Sequence, residues 1–204
     1  MGFALLPAFL ANPRELTMDP EATEREAQCV EEVFQRVCGD LSMIADREME
    51  VASVQTEVMD QRPTGKGSIH ISFRLGFTQD EEHLHGCMLL PLAEAITLAC
   101  SLMMIPENVI SQTRKQNTLD ATTKDAMLEV GNFICGATDA AFRALGAEIK
   151  VIFEGCQGVR PGIRPALIYE EGGELIVGQA DVVQGGFGNA THMLMIPKLK
   201  ATKA

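Results

Sequence analysis

The segment from Asp120 to Leu145 constrains the fold of this 204-residue chain most strongly, because it has the pattern of one long helix with two unlike faces. Its apolar residues recur at the three- and four-residue spacing of a helix buried along one side, namely Met127, Val130, Ile134, Ala137, Ala141 and Leu145. At about 100° per residue, the opposite side collects a second set, namely Asp125, Glu129, Asn132 and Gly136. The segment therefore predicts a core helix that exposes a carboxylate and a carboxamide one turn apart.

The outer face of this helix has an unusual composition. A solvated helix face usually carries Lys, Glu and Gln, whereas Asn and Gly in mid-helix each cost up to about 1 kcal/mol of helix propensity. The small residues Gly131, Gly136 and Ala140 would let another backbone come close. The pattern favours a binding or catalytic face, and the alternative is a solvated stripe that tolerates its Asn.

The same residues resemble a known motif. The run Leu128-Glu-Val-Gly-Asn-Phe-Ile-Cys-Gly136, with Asp125 ahead of it, resembles the active-site helix of the CheC/CheX/FliY phosphatases of bacterial chemotaxis. A weaker likeness covers Gly86-Cys-Met-Leu-Leu-Pro91 and the helix after it, and in pattern it extends from about Pro20 to Leu199. The helix of the first half, around Cys29–Gln35, lacks a Glu-x-x-Asn, and a single active helix resembles CheX more than CheC.

The resemblance implies a function and a set of roles. It implies a protein-aspartyl-phosphate phosphatase that acts on a phosphorylated CheY-type response regulator, with Asn132 orienting the attacking water and Glu129 contacting a lysine of the partner. Asp125 and Gly136 would lie against that partner. The resemblance also implies no cofactor or metal of its own, Mg²⁺ on the partner receiver domain, and a homodimer. The family pattern continues with a proline at the strand after the helix, where this chain has Val151-Ile-Phe-Glu154.

Composition narrows the possible partners and the compartment. The net charge of −11 disfavours nucleic acid and anionic membrane surfaces, because both require clustered Lys and Arg. Six cysteines without a Cys-x-x-Cys indicate reduced thiols, and hence a cytoplasmic protein rather than a disulfide framework. Residues 1–18 are expected to be a tail or added segment, too short and too interrupted by Pro7 to insert in a membrane.

The remaining residues, 19–204, are predicted to form a single CheX-like domain of two repeated halves, about 19–106 and 107–199. The expected fold is α+β, a pseudo-twofold antiparallel sheet with long helices packed on it. Predicted helices are 19–39, 92–104 and 120–145. Predicted strands are 49–59, 67–77, 83–90, 148–153, 164–169, 174–183 and 191–196, with loops at 61–65, 155–162 and 184–189 and a hairpin turn at Gly172-Gly173.

Several residues allow a second interpretation. Thr122-x-x-Asp125 matches a capping box, and this pattern favours a capping role for Asp125 over a partner contact. His83 and His85 alternate on a strand, where a polar strand edge is favoured over a metal site that lacks a third ligand. Arg160 and Arg164 fit a solvated loop better than an anion site. For the function, the alternatives are a non-enzymatic receiver-binding or flagellar-switch-related protein, or a dimeric scaffold that buries the helix face.

Overall fold

One antiparallel sheet of six strands organises the described part of the chain. The computed structural model describes residues 20–65, 67–168 and 173–198, with side chains from Glu24 onward. In chain order the elements are α1 (Pro20–Ala45), β1 (Met49–Met59), β2 (His70–Gln79), β3 (Glu82–Pro91), α2 (Leu92–Leu102), α3 (Glu107–Thr113), α4 (Ala121–Ala144), β4 (Lys150–Val159), β5 (Leu175–Gln184) and β6 (Gly188–Pro197).

The strand order β1-β5-β6-β3-β2-β4 interlocks the two halves of the chain. Each half contributes a long helix, a first strand and a hairpin, and each first strand pairs with the hairpin of the other half. The two hairpins meet where β3 pairs with β6 at the centre of the sheet. The topology confirms the predicted pseudo-twofold α+β fold, and it leaves β1 and β4 as the two sheet edges.

The helices pack on one face of this sheet and build the main core. This core joins α1, α2 and α4 to alternate residues of the central strands, including Phe73, Leu75, Phe77, Met88 and Leu194. The other face carries a smaller apolar cluster, which contains Cys87, Leu89, Val177, Met193 and Met195.

The 160–168 segment closes one end of that second face. Leu167 packs on the smaller cluster, and Arg62 Nη1 donates hydrogen bonds to the carbonyls of Pro165 (2.7 Å) and Leu167 (3.4 Å). The predicted strand at 164–169 is therefore wrong over its described residues, 164–168. These residues cover the sheet face without joining a strand ladder. The predicted Gly172-Gly173 turn falls partly outside the described residues.

Two other predicted boundaries also differ because tertiary packing outweighs a local glycine signal. The helix α1 continues six residues past Gly39, since Leu41 and Ala45 extend its buried stripe. The strand β4 continues through Gly155 and Gly158 to Val159, because β2 pairs with it along that length. The 61–65 segment does not join neighbouring strands, since β1 and β2 lie far apart in the sheet order.

The start of α4 corrects the predicted capping role of Asp125. The residue that caps the helix is Asp120, whose Oδ1 accepts a hydrogen bond of 2.7 Å from Thr123 N. That hydrogen bond holds the pKa of Asp120 below its ordinary value. The capping box at Thr122 and Asp125 is absent because the N-cap lies two residues earlier than that pattern implies. The carboxylate of Asp125 is therefore left on the exposed surface of α4.

The buried face of α4 contains five of the six predicted residues, and it packs against α1, α2 and β4. Met127, Val130, Ile134, Ala137 and Ala141 are fully buried, whereas Leu145 is half-buried at the C-cap. The predicted place of Gly131 on the outer face is wrong: Gly131 faces inward, because a Cβ at this position would overlap the ring of Phe153 on β4. Gly136 has open space around its Cα instead. The two glycines thus differ: Gly131 permits close helix–strand packing, whereas Gly136 keeps the outer face flat.

The cysteines behave as the sequence predicted. All six are free thiols within the described residues, and four of them are buried. Burial raises the pKa of Cys38 and Cys87 to about 12, so these thiols are unreactive at neutral pH. Among the described residues, every helix is too short or too polar to cross a membrane.

The two glycines of α4 supply a matched pair of stability tests. Gly131→Ala should lower the free energy of unfolding by about 1–3 kcal/mol, because the added methyl group overpacks the contact with Phe153. Gly136→Ala should raise it by about 0.5–1 kcal/mol, because alanine is the better helix former and nothing obstructs its methyl group. Urea denaturation of both variants measures the difference, and equal effects would contradict this packing.

Candidate functional site

The structure brings the four predicted site residues together on one exposed surface, which we call the outer face of α4. It consists of Asp125, Glu129, Asn132 and Gly136, all of them solvent-exposed. Because the opposite side of α4 is locked into the core, these side chains project from a rigid support.

The central contact of the outer face is between Glu129 and Asn132. Asn132 Nδ2 donates a hydrogen bond of 3.3 Å to Glu129 Oε2, which is long for such a bond. A carboxamide also has an acceptor oxygen and a second N–H, so Asn132 can bind a further polar group while it contacts Glu129. The pair forms an oriented polar centre that can rearrange without moving the backbone.

Two exposed hydrophobic residues, which the sequence analysis missed, flank this polar centre. Leu128 is 42% exposed and Phe133 is 36% exposed. At about 100° per residue they lie on either side of the stripe that carries Glu129 and Asn132. A signal was available, because both break the polar pattern of the outer face. Exposed apolar side chains beside a polar pair offer surface that a protein partner could bury.

The charges of the outer face indicate which charge a partner surface should carry. Asp125 and Glu129 stand one turn apart and repel each other weakly, by a few tenths of a kcal/mol in an isolated helix. A bare phosphate would be repelled by both carboxylates, whereas a lysine or arginine of a partner would be attracted. The outer face is therefore suited to a basic protein surface rather than to a free phosphate.

The corresponding helix of the first half provides a contrast. The exposed side of α1 carries Glu, Gln and Arg residues, and Glu32 pairs with Arg36 four positions later. Gly39 and Met43 are also exposed on α1, but this helix has no Glu-x-x-Asn. The fold is pseudo-symmetric, but of its two long helices only α4 carries this pair.

The outer face is convex, and the cavities described lie elsewhere. A cleft of about 540 Å³ lies beyond the C-terminal end of α4, between Asp139, Arg143 and Lys150, and it excludes Glu129 and Asn132. Small molecules are usually bound in concave pockets. The geometry of the outer face thus favours a macromolecular partner.

The strand after α4 departs from the proline pattern for a local reason. The backbone N–H of Val151 donates a hydrogen bond of 3.0 Å to Asp139 Oδ1, which joins the last part of α4 to the start of β4. A proline at this position could not donate that bond.

Other candidate residues lie outside the outer face. Arg164 Nη2 donates to Gln61 Oε1 at 2.6 Å and so joins two loops, in keeping with its interpretation as an ordinary loop residue. His83 and His85 contact Glu154, an acidic neighbour that the sequence analysis did not identify.

Comparisons with known proteins relate the structure to chemotaxis and flagellar proteins. No protein-family model matches the sequence, and no curated protein is similar to it. Solved structures do match. FliY from Thermotoga maritima gives a TM-score of 0.64 at 15% identity, over 89% of this chain and 92% of that one. The FliM middle domain from H. pylori gives 0.61 at 8% identity, over 88% and 94%.

The chemotaxis protein CheX from Desulfovibrio desulfuricans gives a TM-score of 0.52 at 17% identity, over 82% of this chain and 99% of that one. These matches establish the fold: the chain has the α+β fold of the CheC, CheX and FliY proteins, which the FliM middle domain shares. The TM-scores with FliY and FliM exceed the one with this CheX, so the structural likeness does not single out CheX.

Proposed function

We propose that the protein is an aspartyl-phosphate phosphatase that acts on a phosphorylated CheY-type receiver domain in chemotaxis signalling. One observation carries the proposal: Glu129 and Asn132 are in contact, exposed and one turn apart on the rigid outer face of α4. The shared fold supports the setting, because similar structures include the chemotaxis protein CheX.

The reaction requires little from the enzyme. Water attacks phosphorus, the bond between phosphorus and the carboxylate oxygen breaks, and the products are a free aspartate and dihydrogen phosphate. Both protons of the water end on the phosphate, so no strong base is needed. Because an acyl phosphate is already activated, orienting the water in line with the leaving group is the main contribution available.

Asn132 is the residue suited to that task. Its carboxamide oxygen can accept a hydrogen bond from the attacking water, while its Nδ2 is held by Glu129. A neutral amide approaches a phosphoryl group without the electrostatic repulsion that a carboxylate would meet. The contact with Glu129 would then orient the amide while its oxygen remains free to accept from the water.

We assign receiver binding to the other residues of the outer face and to the two hydrophobic residues that flank it. Glu129 would pair with a lysine of the receiver, and Asp125 would extend the acidic surface by one turn. Leu128 and Phe133 would bury their exposed area against the partner. Gly136 would allow the receiver backbone to approach the helix. The protein needs no cofactor of its own for this reaction, and Mg²⁺ belongs to the receiver domain.

The second candidate function is a non-enzymatic scaffold that binds receivers or a flagellar-switch component. The observation that favours it is the likeness to the FliM middle domain, which includes one solved in a FliM–SpeE complex from H. pylori with a TM-score of 0.60. A scaffold could use the same docking surface without placing a water. Catalytic release of phosphate from the receiver distinguishes a phosphatase from a scaffold.

Asn132→Ala should lower the rate of receiver dephosphorylation by about 10²-fold or more, because the water loses its orientation. Thermal stability should stay level or rise slightly, since alanine is the better helix former by up to about 0.7 kcal/mol. The measurement is phosphate release from a phosphorylated receiver. Gln35→Ala, which removes an exposed carboxamide from α1, is the matched control and should leave the rate unchanged. An unchanged rate in Asn132→Ala would remove the catalytic role.

Glu129→Lys should weaken receiver binding roughly tenfold at low salt, with a smaller effect at high salt, because it opposes like charges across the interface. Titration of a labelled receiver at two ionic strengths provides the measurement. Glu31→Lys makes the same charge change at an exposed position on α1 and should have little effect. Equal weakening by both variants would show that only net charge matters and that Glu129 makes no specific contact.

We also propose a homodimer formed through a sheet edge, since an unpaired edge strand offers its backbone groups to a second chain. Residues 53–59 of β1 keep regular register with β5 and form a long regular edge, whereas β4 is interrupted by a bulge. Light scattering at micromolar concentration should give twice the monomer mass, with the outer face of α4 still open to the receiver. A monomer would refute the dimer and leave the chemistry unaffected.

A further inference from the structure

Three potential metal ligands meet on the sheet face opposite the helices. His83 and His85 on β3 both contact Glu154 on β4, and we call these three residues the His–Glu cluster. His83 Nε2 lies 2.8 Å from Glu154 Oε1, and His85 Nδ1 lies 2.8 Å from Glu154 Oε2. One ligand atom from each residue lies within 4.8 Å of the other two. The cluster is separate from the outer face of α4, which lies on the helical side of the sheet.

A gap in the intervening strand lets these residues meet. The strand β2 lies between β3 and β4, and Gly76 occupies the position beneath the cluster. A Cβ at Gly76 would lie 2.6 Å from His83 Cε1 and 2.7 Å from Glu154 Oε1. Any larger residue would therefore separate the two side chains.

A bulge in β4 brings Glu154 to the cluster. The register with β2 shifts between Phe73 and Leu75, so Glu154 and Gly155 together oppose Arg74. Gly155 adopts a φ of 97°, which side chains other than glycine rarely accept. Arg74 Nη2 donates to the Glu154 carbonyl at 2.6 Å and fixes the bulge. Gly76, Gly155 and Arg74 together determine the position of the Glu154 carboxylate.

We infer that the His–Glu cluster binds a divalent transition metal, with Zn²⁺ as the preferred ion. Two imidazole nitrogens and one carboxylate form a His₂Glu set, which suits zinc and other late first-row metals, whereas Mg²⁺ and Ca²⁺ prefer oxygen ligands. A fourth position is left for water, because the His83 side chain is 39% exposed. The site is empty.

The two imidazole–carboxylate distances are close to those of a zinc site. Zinc bonds of about 2.0–2.2 Å in tetrahedral geometry put neighbouring ligand atoms roughly 3.3 Å apart. The two 2.8 Å contacts would lengthen by about half an ångström as the metal replaces the shared protons. His83 also has an outer partner, because its Nδ1 lies 3.1 Å from Thr78 Oγ1. Such a contact orients a ligating imidazole.

Glu154 supplies the one carboxylate of the cluster, and each of its two oxygens already faces an imidazole nitrogen. A bound metal would connect β3 to the edge strand β4 across β2, and it would stabilise β4, on which α4 packs.

The test uses the full-length protein stripped of metal with EDTA and titrated with zinc chloride against a chromophoric chelator. One zinc should bind per chain, and His85→Ala and Glu154→Gln should each weaken binding by at least about tenfold. Glu148→Gln, an exposed carboxylate close to β4, is the matched control and should bind as the native protein does. Equal zinc affinity in the native protein, His85→Ala and Glu154→Gln would overturn the assignment, as would the absence of stoichiometric binding.

Two further measurements guard against misfolding and against binding by cysteine. Because His83 is more exposed than His85, His83→Ala should keep the native circular dichroism spectrum. It should also lose zinc, along with the zinc-dependent rise of about a few degrees in Tm. Cobalt bound at the cluster should give a visible spectrum without a sulfur-to-metal charge-transfer band. A sulfur band, or zinc binding abolished by thiol alkylation alone, would place the metal on cysteines and contradict the inference.

Discussion

The burial of one side of α4 is the constraint on which the rest of the structure depends. That side packs against α1, α2 and β4, and Gly131 lets the helix approach Phe153 closely enough for the sheet and the helical layer to share one core. A helix fixed in this way cannot rotate about its axis. The positions of Glu129 and Asn132 are therefore set by residues that face away from them, such as Met127 and Ile134.

The interlocked sheet reinforces this arrangement. Because β4 pairs with β2 of the other half, the helix that precedes β4 is anchored to strands from both halves of the chain. The two sheet faces then carry separate chemistry. The helical side presents an acidic and apolar surface suited to a protein partner, while the opposite side gathers the imidazoles of His83 and His85 around Glu154. Edge strand β4 links the two, since Phe153 packs beneath α4 and Glu154 faces the cluster.

The spacing of apolar residues predicted those features of the structure that depend on which side of a single segment is buried. The stripe of α4, the strand at 49–59 and the fold class follow from spacing that each segment carries by itself. Strand order did not follow, because the pairing of Met49 with Gln184 joins residues that share no local signal. Gly155 and Gly158 predicted a loop, but pairing with β2 makes them part of a strand.

The start of α4 carries two capping signals, namely the capping box at Thr122 and the aspartate at position 120. The capping box was the signal followed in the prediction, whereas Asp120 is the residue that caps the helix. The exposed site on α4 could be located from sequence, whereas the contact of Glu154 with two histidines required the bulge, Gly76 and the strand order together.

The decay of a phosphorylated receiver domain in the presence of increasing, substoichiometric amounts of the native protein tests the central claim most directly. If the outer face of α4 places a water, one molecule should dephosphorylate many receivers, and the decay rate should rise in proportion to the added protein. A decay rate that stays at its spontaneous value, while the receiver still binds, would contradict the phosphatase function and leave a scaffold with the same docking surface.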